Sequence, residues 1–243
     1  MHAGLQLTLG DPCRYFPLVS AFASTSGSMT NLANMVNTVK SACTDTSLLG
    51  TFSENHDNPR FASYTSDLAA ARNVLAFSML TDGIPIVYEG QEQHFNGGND
   101  PNNREAVWLS KYSTTAPLYT HVQTMNKIRK NAIKDDSTFL TYEAYPMYTD
   151  TTTIIMRKGK LVSVLTNKGT SGASYSQTYA VGYSAGQKIT ELLTCATLTA
   201  TSTGGLLVPM GAGAPRIYYP TASLAGSGLC GNTASKMRFM QRS

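Results

Sequence analysis

Two polar clusters carry the residue types needed for electrostatic and acid–base work on a polar, uncharged substrate. His56 and Asp57 stand side by side in ENHDNPR, residues Glu54 to Arg60, and Asp100 and Arg104 lie four apart in EGQEQHFNGGNDPNNRE, residues Glu89 to Glu105. Asp accepts hydrogen bonds, Arg donates them and His does either, a set that suits the hydroxyls of a sugar. A carboxylate can also steady the positive charge of an oxocarbenium-like transition state. Spacing alone leaves a purely structural role open. Asp57 and Asn58 also read as an Asx turn ahead of Pro59, His56 as a satisfied polar residue, and Asn99 and Asp100 as ordinary loop formers.

The elements that must position these clusters are legible as patterns. Met29 to Val39 reads as a helix, with Leu32, Met35, Val36 and Val39 at three- and four-residue steps and Ser28 as cap. Leu48 to Phe52 is a short buried strand feeding His56 and Asp57. Asp67 to Leu80 is a second helix, and Ile84 to Tyr88 a second strand feeding the loop with Asp100 and Arg104. A strand, helix, strand unit of this kind is a parallel crossover, and reactive groups in such architectures sit beyond the C-terminal strand ends. Leu118, Val122, Met125 and Ile128 mark a third helix, whose basic residues Lys127, Arg129, Lys130 and Lys134 suit its C-terminus.

From about residue 140 to 150 onward the pattern changes to strands and turns. Thr152 to Arg157 and Leu161 to Thr166 flank Lys158, Gly159 and Lys160 as a hairpin, and short strands recur to Tyr219, as in an antiparallel sandwich or barrel. We therefore expect a first domain over 1–140, a β domain over 141–230 and an unstructured tail over 231–243. Four cysteines show no metal-binding spacing and permit three full pairings; Cys195 and Cys230 bracket the last strand-rich stretch and suit a disulfide.

Composition sets the outer limits. At 243 residues, 42% hydrophobic and 14% charged, the chain is neither disordered nor a coiled coil. No apolar run approaches the length needed to span a membrane, and Met1 to Leu9 lacks the features of a signal peptide. The net charge of +4 is uneven, since residues 151 to 243 hold only Glu191 against nine bases. Those bases are scattered in a Thr/Ser/Gly-rich background without interleaved aromatics, which favours a solvated β surface over nucleic-acid binding.

The stretches LLGTFSENHDNPRFASY, DGIPIVYEGQEQ and FNGGNDPNNREAVWLS closely resemble the α-amylase family, in particular the secreted fungal enzymes. The similarity runs from about Phe16 to Cys230. It implies an α/β plus all-β fold: the C-terminal part of a (β/α)8 (TIM) barrel, with strands seven and eight, followed by an antiparallel β-sandwich. It also implies endo-hydrolysis of α-1,4-glucosidic bonds in starch or malto-oligosaccharides with retention, by an extracellular and usually monomeric enzyme. Asp57 would be the transition-state stabiliser, with His56, Asp100 and Arg104 as sugar contacts. Glu54, Asn55, Arg60, Glu92 and Gln93 match as supports. Glu89 and Ser53 depart from the family pattern in ways that bear on local packing.

A retaining glycosidase needs a nucleophile and a general acid about 5 Å apart. In the family these come from strands four and five, ahead of anything aligned here, as do the calcium ligands and the expected partner of Cys43. Asp11 and Asp45 are the only acids upstream of Glu54. The resemblance thus implies a chain inactive alone, with unpaired strand edges, helices lacking partners on one side, and a β domain that folds better than the barrel part. The alternative is a non-catalytic carbohydrate-binding or interaction module using Trp108 and tyrosines such as Tyr175, Tyr179 and Tyr183.

Overall fold

Hydrophobic stripes at helical spacing build the first half around one parallel strand pair. The computed structural model describes residues 12–233. Helix α1 (Pro12–Phe22) precedes α2 (Met29–Ala42), where the side chain of Ser28 accepts the Asn31 N–H at 3.1 Å and so satisfies an otherwise free donor. The sequence patterns did not disclose α1, because Pro17 interrupts it; Tyr15, Leu18 and Phe22 nonetheless bury its inner face. Strand β1 (Gly50–Thr51), a single turn α3 (Phe61–Tyr64), α4 (Leu68–Leu80), β2 (Ile84–Pro85) and α5 (Pro117–Asp135) follow.

β1 and β2 pair in parallel, Gly50 with Ile84 and Thr51 with Pro85, so the expected crossover is present. Both strands are shorter than their apolar runs. Pro85 has no N–H, and the pairing is completed by Ile84 and Ile86 donating to Leu49 and Thr51 at 2.8 and 2.9 Å. Gly83 turns the chain between α4 and β2 at φ +93°, where a Cβ would meet the Leu49 carbonyl oxygen at 2.2 Å. Asp67 is the cap of α4 rather than its first residue, accepting the N–H groups of Ala69 and Ala70.

The second half is antiparallel throughout: β3 (Tyr145–Thr149), β4 (Thr153–Lys158), β5 (Leu161–Thr166), β6 (Tyr175–Ala180), β7 (Lys188–Glu191), β8 (Thr197–Thr199), β9 (Gly205–Met210) and β10 (Arg216–Pro220). Six strands form one sheet in the order β3-β4-β5-β10-β7-β8, and β6 and β9 form a second. Alternation along the central strands explains why two cores exist. Ile155, Val162, Val164 and Tyr218 face the small sheet with Tyr179, Leu206 and Val208. Their neighbours Ile154, Met156, Leu161, Leu165, Ile217 and Tyr219 face the other way, into one core with Leu32, Leu75, Met79 and Ile128 of the helices. The helices therefore do have a partner, the back of the large sheet, contrary to the expectation that one side would lie bare. The strand-pair margin remains exposed at Leu48, Ile84 and Ile86, as does Phe16 on α1.

Buried polar groups fasten the halves. Asn73, fully buried on α4, donates to the carbonyls of Ala69 and Gly213 at 2.7 Å each and accepts the Thr166 N–H at 2.9 Å. Asp82 accepts from Lys158 Nζ at 2.7 Å and from the Ala144 N–H at 2.8 Å. Arg129 differs from its sequence reading: it does not serve the end of its own helix but donates to the carbonyls of Met79, Thr81 and Gly83, closing the C-terminus of α4. Cys195 and Cys230 form the expected disulfide, Cys43 is a free thiol, and Cys13 and the tail beyond 233 lie outside the residues whose side chains are described.

Replacing Asn73 by Ala strands a donor and an acceptor that water cannot reach. We expect a loss of about 2–4 kcal/mol in urea unfolding followed by circular dichroism. A loss below about 1 kcal/mol would mean that this seam contributes little.

Candidate active site

Both sequence clusters emerge where predicted, beyond the C-terminal ends of the parallel strands. The loop after β1 is shaped by Asn55, whose side-chain oxygen accepts the N–H groups of Asp57 and Asn58 at 3.1 and 3.0 Å. The Asx turn before Pro59 is thus real, but Asn55 makes it, and the side chain of Asp57 stays free to face solvent. His56 and Asp57 are 62% and 64% exposed and pair with each other, Nε2 to Oδ1, at 3.1 Å. Asp100 and Arg104 form a second exposed pair at 3.2 Å.

The two pairs belong to one surface because the loops are tied together. Asn103 donates to the carbonyls of His56 and Asn58 at 3.0 and 2.9 Å, and Arg104 Nε donates to the same His56 carbonyl at 3.1 Å. All four predicted site residues are therefore brought together. Asn103, fully buried, was not singled out from the sequence; its position between Asp100 and Arg104 is the only signal that could have found it.

Beneath this surface lies Arg60, which no solvent reaches. Its guanidinium pairs with Glu54 at 3.2 Å, pairs with Glu105 through Nε, and donates to the Glu89 carbonyl at 2.7 Å. The rings of Tyr88 and Phe95 lie over it at 4.4 and 5.5 Å. Each partner in turn holds backbone: Glu54 accepts the Phe61 N–H at 3.2 Å, and Glu105 accepts the Gly97 N–H at 2.6 Å. Gly97 admits this approach because a Cβ there would sit 1.6 Å from the Asn102 carbonyl oxygen. Glu105, like Asn103, was missed as a functional support.

Other sequence readings divide. Glu54, Asn55 and Arg60 do support the site. Gln93 instead donates to the Ser113 carbonyl at 3.0 Å, and Glu92 lines a groove along α5 with Lys127 and Lys130. Ser53 packs without difficulty, accepting from Gln91 Nε2 at 2.7 Å, and Glu89 takes part through its backbone. Tyr179 and Tyr183 are buried and Trp108 is exposed, so the tyrosines do not extend a sugar-stacking platform. No group of three or more His, Cys, Asp or Glu side chains among the described residues is placed to hold a metal ion. No described helix is long and apolar enough to cross a membrane.

Burial pushes the Glu54 carboxyl up to about 7, against the pull of Arg60. The native state therefore keeps this proton to higher pH than the unfolded chain. Stability from this group is full below about pH 4.5 and is lost as pH rises toward 7. Histidine contributes with the opposite slope, since burial holds His121 down at about 4. Comparing wild type with Glu54→Gln cancels the histidines. The variant should gain on wild type between pH 4.5 and 7.5, on the order of 3 kcal/mol in urea unfolding. A pH-independent difference would show that Glu54 is ionised throughout.

Comparison with known proteins agrees with this arrangement. Residues 16–144 match the family model for the α-amylase catalytic domain, and residues 146–238 match the model for α-amylase domain C. α-Amylase 2 of Schwanniomyces occidentalis is 45% identical over 220 residues, covering 89% of this chain and 43% of that protein. α-Amylase 1 of Lipomyces kononenkoae is 51% identical over 221 residues, covering 89% and 35% respectively. The structure of an α-amylase from Malbranchea cinnamomea superposes with a TM-score of 0.87 at 50% identity, over 89% of this chain and 46% of the other. The chain thus spans less than half the length of these relatives. With both halves matched in order, a partial (β/α)8 barrel and then domain C, the chain belongs to the α-amylase family.

Proposed function

We propose that the chain forms the C-terminal part of an enzyme that hydrolyses internal α-1,4-glucosidic bonds of starch and malto-oligosaccharides with retention. Its four exposed polar side chains form one wall of the substrate cleft. Asp57 steadies the positive charge that develops at the sugar's anomeric carbon. His56 holds a hydroxyl of the same sugar, while Asp100 and Arg104 accept from and donate to neighbouring glucose units. The observation that carries this reading is the His56 carbonyl, which receives Asn103 at 3.0 Å and Arg104 at 3.1 Å and so fixes the two pairs relative to each other. Orientation of this kind matters because misplacing a substrate-holding group by about 1 Å costs rate steeply.

The nucleophile and general acid are assigned to no residue of this chain, and neither are ligands for calcium. In this reading, residues 1–140 are the barrel portion, 141–230 the β domain and 231–243 a flexible tail, and the working enzyme is extracellular and monomeric. Its partner is a neutral glucan. Nucleic acid is a poor fit to a rim that pairs each base with an acid.

The chain alone should release reducing ends from soluble starch at background rate. Co-expressed with the preceding barrel segment of the Lipomyces kononenkoae enzyme it should gain activity, and Asp57→Asn should then remove at least about a thousandfold of it. Hydrolysis by the chain alone near the rate of a full-length amylase would overturn the proposal.

A further inference from the structure

A cavity lies where α4 and the start of α5 meet the β sandwich. Its volume is about 300 Å3, and Arg72, Thr120, His121, Thr194 and Arg216 contribute to its lining. Arg72 is half-buried on α4, and its guanidinium forms no ion pair or hydrogen bond among the described residues. Arg216 on β10 donates Nε to the Pro209 carbonyl at 3.0 Å and stands 4.0 Å from Glu191.

Glu191 offsets at most one of the two guanidinium charges. Its buried carboxylate is held in place by the Thr194 N–H at 2.7 Å, the Thr194 hydroxyl at 2.6 Å and the N–H groups of Ile217 and Leu193 at 3.0 and 3.3 Å. The cavity therefore carries excess positive charge. Helix α5 adds to it, since it runs 19 residues from Pro117 and its cap position, Ala116, has no side-chain oxygen to occupy the first-turn N–H groups. His121 Nε2 donates to the Arg72 carbonyl at 3.0 Å, which pins that helix start against α4. Among the described residues no Phe, Tyr or Trp lines the cavity, so it lacks the broad stacking surface that suits a sugar.

We infer that this cavity is a binding site for a small oxyanion of the phosphate type, gripped between Arg72 and Arg216. Guanidinium forks match tetrahedral oxyanions with paired, charge-assisted hydrogen bonds. Because its lining comes from both halves of the chain, an occupant would also cement their junction.

The test is thermal unfolding of the whole chain in inorganic phosphate against potassium chloride at matched ionic strength, with 31P line widths as a direct measure of binding. Expected is a saturable rise in melting temperature specific to phosphate, with broadened 31P signal, and an apparent affinity at least about tenfold weaker in Arg72→Gln. The Arg72 side chain makes no described hydrogen bond or ion pair, and its carbonyl contact with His121 survives the substitution, so that variant should fold; if it does not, loss of 31P broadening in wild type on adding excess sulfate serves in its place. An equal rise in chloride, an unbroadened 31P signal, or unchanged affinity in Arg72→Gln would overturn the proposal.

Discussion

One buried guanidinium organises everything that the rim beyond the parallel strands depends on. Arg60 sits between two carboxylates, a backbone carbonyl and two aromatic rings, and no part of it meets solvent. Burying a charge is costly unless its partners are well placed, and here they come from three stretches of chain that are otherwise irregular. Glu54 lies at the end of the first strand, Glu89 at the end of the second and Glu105 at the far side of the long loop. Satisfying Arg60 therefore forces these stretches into one arrangement. Burial is why Glu54, the more deeply buried of the two carboxylates, holds its proton so far above the ordinary carboxylate range, with the neighbouring Glu105 adding a smaller push in the same direction.

The rim inherits its geometry from this arrangement. Glu105 holds Gly97, Arg60 N–H bonds the Gly97 carbonyl at 3.0 Å, and the segment between Gly97 and Glu105 carries Asn103 and Arg104 back to the carbonyl of His56. The large sheet plays the corresponding part at the other end. By presenting apolar residues on both faces it completes the sandwich and at the same time covers the helices that carry the strand pair. A partial barrel thus acquires a core it could not build from two short strands.

Much of this was legible in the sequence, for physical reasons. Leu32, Met35 and Val39 repeat at helical spacing because α2 buries one stripe, and the β4–β5 hairpin is announced by its apolar runs and by Gly159. His56, Asp57, Asp100 and Arg104 stand out in the sequence because residues beyond parallel strands gather on one face and because the motifs around them resemble those of α-amylases. The misses share a cause. Glu105 and Asn103 act through contacts across more than forty residues, and nothing local distinguishes a loop asparagine from one that bonds two carbonyls. Arg129 was read against its own helix because sequence separation hides that α4 ends beside it. α1 was hidden by Pro17, and the one-turn α3 is too short to show a period.

The central claim is that Arg60 holds both loops as one unit, and backbone hydrogen exchange in Arg60→Met tests it most directly. The account predicts that amides in 55–61 and 97–105 lose protection together while those of α4 keep theirs. Loss confined to one loop, or protection unchanged in both, would contradict it.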